Sequence, residues 1–164
     1  MKTLFLMRHA KAELALPEMS DLNRPLLEKG KKRTKHIIDY LLKKNVEVDL
    51  IITSHAVRSS ETAHIMAHSL NVADSRIWED KSVYTADTEK LYDLFYDLPA
   101  GVDKLMIIGH NPTITNFANL HLSEKTDAIP TSGIVCLEFD TDDWTQLDSC
   151  RGNMEFMIFP KMLK

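Results

Sequence analysis

The sequence predicts a three-layer α/β fold in which a largely parallel central sheet carries helices on both faces. Three apolar runs, at residues 4–7, 49–53 and 104–108, have the length and composition of buried strands. Each is followed by a polar turn or loop and then by a helical pattern, an alternation typical of parallel sheets. Because 164 residues is an ordinary length for one domain, we expect residues 1–164 to form a single domain.

The remaining elements are predicted from the spacing of apolar residues and from breakers. Helical spacing recurs in four segments, at residues 26–44, 59–70, 87–98 and 113–120. Further strands are expected at residues 76–80, 134–139 and 155–159. Two polar segments are expected to be irregular, namely a loop at residues 13–25 over the end of the first strand and an acidic turn region at residues 140–148.

The composition argues against several classes of function. A net charge of −4 gives no support for nonspecific binding to nucleic acid or membranes, so we expect the basic stretch 31–35 to be a solvated helix face. Cys136 and Cys150 are too few for a disulfide framework and lack the spacing of a zinc site. No run approaches the ~20 apolar residues of a membrane-spanning helix. We therefore expect a cytoplasmic protein without membrane or nucleic-acid partners.

Basic side chains follow the ends of the three predicted inner strands. Arg8 and His9 come directly after the first strand. Arg58 lies in the helix after the second, and His110 follows the third. The carboxyl ends of parallel strands lie at the edge where open α/β sheets bind ligands. Because arginine offers a planar fork for phosphate and neutral histidine a nucleophilic nitrogen, the four residues indicate a phosphoryl site.

No metal site is predicted. His64 and His68 lie four residues apart on a predicted helix, a spacing that suits metal ligands, but no HExxH pattern or nearby cysteine accompanies them. We expect all histidines outside the motifs to lie on the surface, namely His36, His64, His68 and His121. Four aromatic residues are expected in the core or at an interface, namely Tyr84, Tyr92, Phe95 and Tyr96.

Five short motifs carry a resemblance to a known family. They are MRHAKA at residues 7–12, DLNRPLLEKGK at 21–31, SHAVRSSETA at 54–63, GHNP at 109–112 and TSGI at 131–134. The chain resembles the histidine phosphatase superfamily, whose fold is called phosphoglycerate mutase-like, and within it the small phosphohistidine phosphatases of the SixA type. The resemblance extends from Thr3 to about Phe139.

The resemblance implies roles for the residues at the strand ends. His9 would be the nucleophile that becomes phosphorylated, and the phosphoryl oxygens would be bound by Arg8, Arg58 and His110. Neighbouring arginines disfavour the imidazolium form of His9, which suits a nucleophile. A backbone carbonyl is expected to hold its other ring nitrogen and so fix the tautomer. The scheme needs no metal and no other cofactor.

Several motif positions are further candidates or departures from the family pattern. Asn111 and Ser132 are candidates for substrate binding. Ala10 stands where the general motif has glycine, which narrows how closely the backbone can approach a phosphate. His55 stands where proline is frequent, and we expect it to be a bystander at the rim of the site.

The proton donor is the least determined part of the site. Superfamily members that act on phosphate esters usually carry a carboxylate after the third strand, where this chain reads EDKSVYTAD. Glu79 and Asp80 in that segment are candidates, and Asp21 in the first loop is a third. An alcohol leaving group needs a proton, whereas the imidazole of phosphohistidine leaves readily. Because no carboxylate is clearly placed as a proton donor, a phosphohistidine substrate is favoured.

The short chain favours the same substrate class, because it leaves no insertion long enough to form a lid over a small metabolite. We expect a phosphatase that acts on a phosphohistidine-bearing protein, such as a phosphotransfer domain, and releases inorganic phosphate. Two other functions stay open at this stage. One is a small-molecule phosphomonoester phosphatase or mutase of the same superfamily, and the other is a non-catalytic phosphate-binding regulatory module.

Overall fold

A mixed six-stranded sheet lies at the centre of the computed structural model, which describes residues 1–85 and 87–163. The strands are β1 Lys2–Arg8, β2 Leu50–Thr53, β3 Ile77–Glu79, β4 Lys104–Gly109, β5 Ile134–Phe139 and β6 Gly152–Ile158. Their order across the sheet is β3-β2-β4-β1-β5-β6. The first four are parallel to one another, and β5 runs antiparallel to both of its neighbours. Ala86, in the EDKSVYTAD segment, and Lys164 lie outside the described residues.

Helices cover both faces of the sheet. The helices are α1 Glu28–Lys43, α2 Val57–Ser69, α3 Lys81–Thr85, α4 Thr88–Asp93 and α5 Thr113–His121. Short 3₁₀ turns are found at Asp21–Asn23, Asp74–Arg76, Leu94–Tyr96, Trp144–Ser149 and Pro160–Met162. Helices α1 and α2 pack on one face with Phe5 and Met7, while α3, α4 and α5 pack on the other with Leu4 and Leu6. The predicted α/β fold with helices on both faces is confirmed.

Helices on both faces of the sheet explain why its inner strands are apolar at every position. Successive side chains of a strand point to opposite faces, so a strand buried on both sides is apolar at every position. Leu4, Phe5, Leu6 and Met7 in β1 are all at most 3% exposed. The same holds for Leu105 to Ile108 in β4. The continuous apolar runs therefore mark the inner parallel strands.

Two predicted elements differ in detail from the structure. The helix expected at residues 87–98 is divided, since α4 ends at Asp93 and a 3₁₀ turn follows at Leu94–Tyr96. The last strand, expected at residues 155–159, begins earlier, at Gly152, because pairing with β5 extends to Phe139. Its side chains from Asn153 to Glu155 are exposed, so apolar spacing gave no indication of the strand start.

One histidine was wrongly expected at the surface. His121, in the last turn of α5, is buried, and its Nε2 lies 2.8 Å from the Tyr92 hydroxyl. Its ring packs edge-on against Phe139, because this side of α5 faces the sheet. The other three histidines outside the motifs are exposed as predicted, namely His36, His64 and His68.

The two cysteines, Cys136 and Cys150, are both free. None of the helices formed by residues 1–85 and 87–163 has the length and apolarity needed to cross a bilayer.

Candidate active site

The carboxyl ends of neighbouring parallel strands bring the predicted catalytic residues together. Arg8 ends β1, and the main-chain N–H of His9 donates to the Gly109 carbonyl at the end of β4 (3.1 Å). The ring centroids of His9 and His110 are 5.0 Å apart. The Nη2 atom of Arg58 lies 3.4 Å from His110 Nδ1. The four residues therefore share one edge of the sheet, as their positions after the strands predict.

His9 has the tautomer and protonation state of a nucleophile. The residue is 7% exposed, and its Nδ1 lies 2.8 Å from the carbonyl oxygen of Ala10. Because a carbonyl can only accept, Nδ1 carries the proton and Nε2 keeps its lone pair. Burial, together with the charges of Arg58 and Arg8, lowers the pKa of His9 to about 4 despite the opposing effect of the carbonyl. The ring is therefore neutral at neutral pH.

Arg58 and Arg8 are fixed by protein oxygens and keep further N–H donors at the site. Arg58 donates from Nη1 to the main-chain oxygen of Asp21 (2.7 Å) and from Nη2 to its carboxylate (3.0 Å). Arg8 donates from Nη1 to the Ile129 carbonyl (3.1 Å). The Nε atoms of both arginines are buried without a hydrogen-bond partner among the described residues. A guanidinium whose N–H donors are not all used within the protein suits a site that receives an anionic acceptor.

His110 is also neutral and is held on both sides of its ring. An arginine can only donate, so His110 Nδ1 accepts from Arg58 and its Nε2 carries the proton. That Nε2 lies 2.6 Å from the Ser54 hydroxyl at the end of β2. Burial, followed by the influence of His9 and Arg58, lowers the pKa of His110 to about 3. Both ring nitrogens are thus used within the protein, and a neutral His110 would bind a phosphoryl oxygen only by turning its Nε2–H away from Ser54.

Of the three candidate proton donors, Asp21 is the one that contacts the predicted arginines. Its carboxylate accepts from Tyr84, Arg24 and Arg58. The hydrogen bond from Tyr84, followed by those from the two arginines, holds the pKa of Asp21 well below its usual range. The carboxyl is therefore ionised at neutral pH and is suited to anchoring Arg58, not to giving up a proton.

The other two candidate donors are engaged elsewhere. Glu79, at the end of the edge strand β3, accepts from the Ser60 hydroxyl (2.7 Å). Asp80 accepts from the main-chain N–H and the hydroxyl of Ser82 (2.9 and 2.6 Å), at the start of α3. These contacts give Glu79 and Asp80 local structural roles.

The side chain of Asn111 makes hydrogen bonds to neighbouring parts of the protein. It donates from Nδ2 to the Ile129 carbonyl (2.8 Å), the same oxygen that Arg8 contacts. Its Oδ1 accepts from the hydroxyl and the main-chain N–H of Thr115 (2.7 and 3.3 Å). Both ends of the amide are thus used within the protein, and the structure gives no support for phosphate binding by this side chain.

Ser132 likewise points into the protein. Its hydroxyl lies 2.7 Å from that of Thr34, which itself donates to the Gly30 carbonyl, so Ser132 is the donor. Its main-chain N–H donates to the carbonyls of Arg8 and His9 (3.1 and 3.2 Å). Ser132 therefore fixes the loop before β5 against the end of β1. The structure gives no support for phosphate binding by its hydroxyl.

Two residues of the site were missed by the sequence analysis. Tyr84 was expected in the core or at an interface, but its ring lies edge-on against both His110 and His55, with centroid distances of 5.3 and 5.4 Å. Its hydroxyl donates to Asp21. Ser54 holds His110, and its place directly after β2, in the SHAVR motif, could have identified it. His55, half-buried beside Tyr84, lies next to the site as expected.

Among residues 1–85 and 87–163, no cluster of three or more histidine, cysteine or acidic side chains is arranged to hold a metal ion.

Comparison with known proteins agrees with this geometry. Residues 4–81 match the family model of the histidine phosphatase superfamily (branch 1). Residues 4–81 are therefore similar to the histidine phosphatase superfamily. The matched residues include Arg8, His9 and Arg58, and His110 lies beyond them. A search of curated proteins gave no significant match.

Solved structures of several phosphatases share the fold over nearly the whole chain. A protein from Agrobacterium tumefaciens assigned as the phosphohistidine phosphatase SixA is similar at 26% identity, covering 96% of this chain and 97% of its own, with a TM-score of 0.80. The protein histidine phosphatase SixA in complex with tungstate is 24% identical over 99% of both chains, with a TM-score of 0.79. A mycobacterial glucosyl-3-phosphoglycerate phosphatase shares the fold more distantly, at 13% identity over 94% of this chain and 97% of its own, with a TM-score of 0.65.

Proposed function

We propose that this protein hydrolyses phosphohistidine on a partner protein through a covalent phosphohistidine intermediate on His9. The observation that carries the proposal is the state of His9, whose Nδ1 is held by the Ala10 carbonyl while its pKa lies far below neutrality. Its Nε2 lone pair is available to attack phosphorus. The charges of Arg58 and Arg8 act on the ring and help to lower the pKa of His9, which supports their assignment to phosphoryl binding.

The chemistry proceeds in two displacements at phosphorus. In the first, His9 Nε2 attacks, the bond from phosphorus to the substrate nitrogen breaks, and the departing imidazole takes a proton from solvent. In the second, water attacks the phosphoryl group on His9, releases inorganic phosphate and restores the neutral ring. The arginines stabilise the charge on the equatorial phosphoryl oxygens during both steps.

The ionised state of Asp21 supports this substrate class. Asp21 is ionised and bound to Arg58, so it is a poor donor to an alcohol leaving group. An imidazole leaving group has a free pKa of about 6.5 and needs little assistance. The similarity to the Agrobacterium tumefaciens protein assigned as SixA supports the same class.

We further propose that the reaction needs no metal ion and takes place in the cytoplasm. The steps above need only water and side chains of this chain, and no metal ion takes part in them. Both cysteines are free, which suits a reducing compartment.

A comparison of three substrates tests the proposal. Steady-state kcat/KM is measured with a phosphohistidine peptide, p-nitrophenyl phosphate and 3-phosphoglycerate, each with and without EDTA. We expect the phosphohistidine peptide to exceed 3-phosphoglycerate by about a hundredfold, because the alcohol released from this ester needs a general acid. p-Nitrophenyl phosphate, whose leaving group is only weakly basic, should be hydrolysed faster than 3-phosphoglycerate. EDTA should leave the rate unchanged.

The same assay decides between this function and its alternatives. Faster turnover of 3-phosphoglycerate would indicate an ester phosphatase or mutase, a function found on the same fold in the mycobacterial phosphatase. No turnover of any substrate, with phosphate still bound, would indicate a regulatory module.

A further inference from the structure

A basic groove lies beside the candidate active site and has no role in the proposed chemistry. It has a volume of about 780 Å³ and runs between α1, the loop 126–131 and the segment 159–163 that follows β6. Its lining includes Arg33 and His36 from α1 and Lys161 from the chain end. Pro130 and Phe159 supply apolar surface.

The groove belongs to the same sheet edge as His9. The loop that forms one wall continues into Ser132, whose main-chain N–H donates to the His9 carbonyl. The end of β6 is at this edge too, since Ile158 pairs with Ile134 at the start of β5. Strands lie about 4.8 Å apart, so the end of β6 is roughly 10 Å from the end of β1.

The groove differs in charge from the protein as a whole. Arg33, His36 and Lys161 face one acidic lining residue, Asp127. Among the ion pairs of residues 1–85 and 87–163, none involves Arg33 or Lys161. These cations therefore remain available to a partner on a chain whose net charge is −4.

The opposite end of the same edge is acidic. A second cavity beside β3, of about 540 Å³, is lined by four carboxylates around Trp78, namely Glu79, Asp80, Asp93 and Asp97. The candidate active site therefore lies between a basic end and an acidic end. A partner with its own charge asymmetry would be attracted in one orientation and repelled in the other.

We propose that the basic groove receives an acidic segment of the phosphohistidine-bearing protein, an inference that rests on the proposed function. A typical protein interface covers about 800 Å² on each partner, which corresponds to a radius of roughly 16 Å. A partner that delivers phosphohistidine to His9 therefore covers the groove. Arg33 and Lys161 bind its carboxylates, and Phe159 packs against its apolar side chains.

Three phosphohistidine peptides test this inference. One carries two glutamates three and four residues N-terminal to the phosphohistidine, one carries them C-terminal, and one has alanine at all these positions. Extended chain advances about 3.3 Å per residue, so the glutamates reach roughly 10 Å from the phosphoryl group. We expect one of the two acidic peptides, the one whose glutamates lie on the side of the groove, to have a KM about fivefold lower than that of the alanine peptide at equal kcat. A difference of this size corresponds to one or two surface ion pairs.

The double variant Arg33→Glu/Lys161→Glu should remove this preference and leave hydrolysis of free phosphohistidine unchanged. Lys43→Glu, an exposed substitution in the last turn of α1, is the matched control and should keep the preference. Equal KM values for all three peptides with the wild-type protein would overturn the inference. So would a double variant that slows the peptides and free phosphohistidine alike. If the wild-type protein hydrolyses none of these substrates, the proposed function itself fails, and this inference fails with it.

Discussion

Asp21 holds Arg58 through both its main chain and its side chain. The main-chain oxygen accepts from Nη1 at 2.7 Å and the carboxylate accepts from Nη2 at 3.0 Å. The first loop is thereby joined to the start of α2, and the guanidinium is oriented beside His110. Asp21, one of the three candidate proton donors, is thus a positioning group in the structure.

Replacing Asp21 by asparagine should affect all leaving groups equally. Asp21→Asn keeps an oxygen for Arg58 and removes the charge. We expect kcat/KM to fall about fivefold, corresponding to about 1 kcal/mol for a partly exposed ion pair. The measurement compares p-nitrophenyl phosphate with phenyl phosphate, whose leaving group is more basic. Glu79→Gln is the control and should change neither rate. A much larger loss with phenyl phosphate would show that Asp21 is a proton donor.

Removing the Tyr84 hydroxyl should raise the pKa of Asp21. The hydrogen bond from Tyr84 is the largest cause of the lowered pKa, and Tyr84→Phe keeps the ring that packs against His110. Arg24 and Arg58 remain in place, so the pKa should stay below the ordinary value. Titration of the labelled carboxyl carbon by NMR measures the shift. Tyr96→Phe, at an exposed position, should leave it unchanged, and an equally low pKa in Tyr84→Phe would contradict the assignment.

The two site histidines should make the protein less stable in mild acid. Their pKa values are about 4 for His9 and about 3 for His110, whereas unfolded histidine titrates near 6.5. Below pH 6.5 the unfolded state therefore binds more protons, so the free energy of unfolding falls as the pH is lowered towards 4. Between pH 7.5 and pH 5, each histidine should cost about 2 kcal/mol.

Denaturant unfolding at these two pH values measures the effect. The variant His9→Asn should lose about 2 kcal/mol less than the wild-type protein over the same interval. His68→Asn, at an exposed position on α2, should behave like the wild-type protein. Equal losses in the wild-type protein and His9→Asn would show that His9 is not kept neutral by the fold.

Gly30→Ala should destabilise the protein although alanine is the better helix former. A Cβ at Gly30 would overlap the Lys11 carbonyl oxygen, because α1 packs directly on the chain just after Ala10. We expect a loss of about 2 kcal/mol, instead of the gain of about 1 kcal/mol at an open helix position. Lys32→Ala, on the exposed face of α1, is the control and should change stability by less than about 0.5 kcal/mol. Higher stability in Gly30→Ala would show that α1 can move away from Lys11.

The fold was predictable because local patterns determine it. Apolar runs identified the buried inner strands β1, β2 and β4, and helical spacing identified α1 and α2. Because parallel strands end at one edge of a sheet, the same patterns predict one shared site for the residues at the strand ends, namely Arg8, His9, Arg58 and His110. The carbonyl expected to hold His9 is present as well, supplied by Ala10.

Contacts between distant side chains were not predictable in the same way. Tyr84 and Asp21 are 63 residues apart, and Ser132 and Thr34 are 98 apart, so no periodicity relates them. Motif position made Ser132 a candidate ligand, but its direction depends on the packing of α1. Likewise His121 is polar in sequence and buried in the structure, because Tyr92 supplies a hydrogen-bond partner.

Trapping the phosphoenzyme tests the central claim most directly. The wild-type protein is mixed with a phosphohistidine peptide, quenched at alkaline pH and analysed by mass spectrometry of the fragment that contains His9. We expect a phosphoryl group on His9 in the wild-type protein. The same label should be found in the control variant His68→Asn and should be missing from His9→Asn. Turnover without label in the wild-type protein, or label that persists in His9→Asn, would contradict the proposed mechanism.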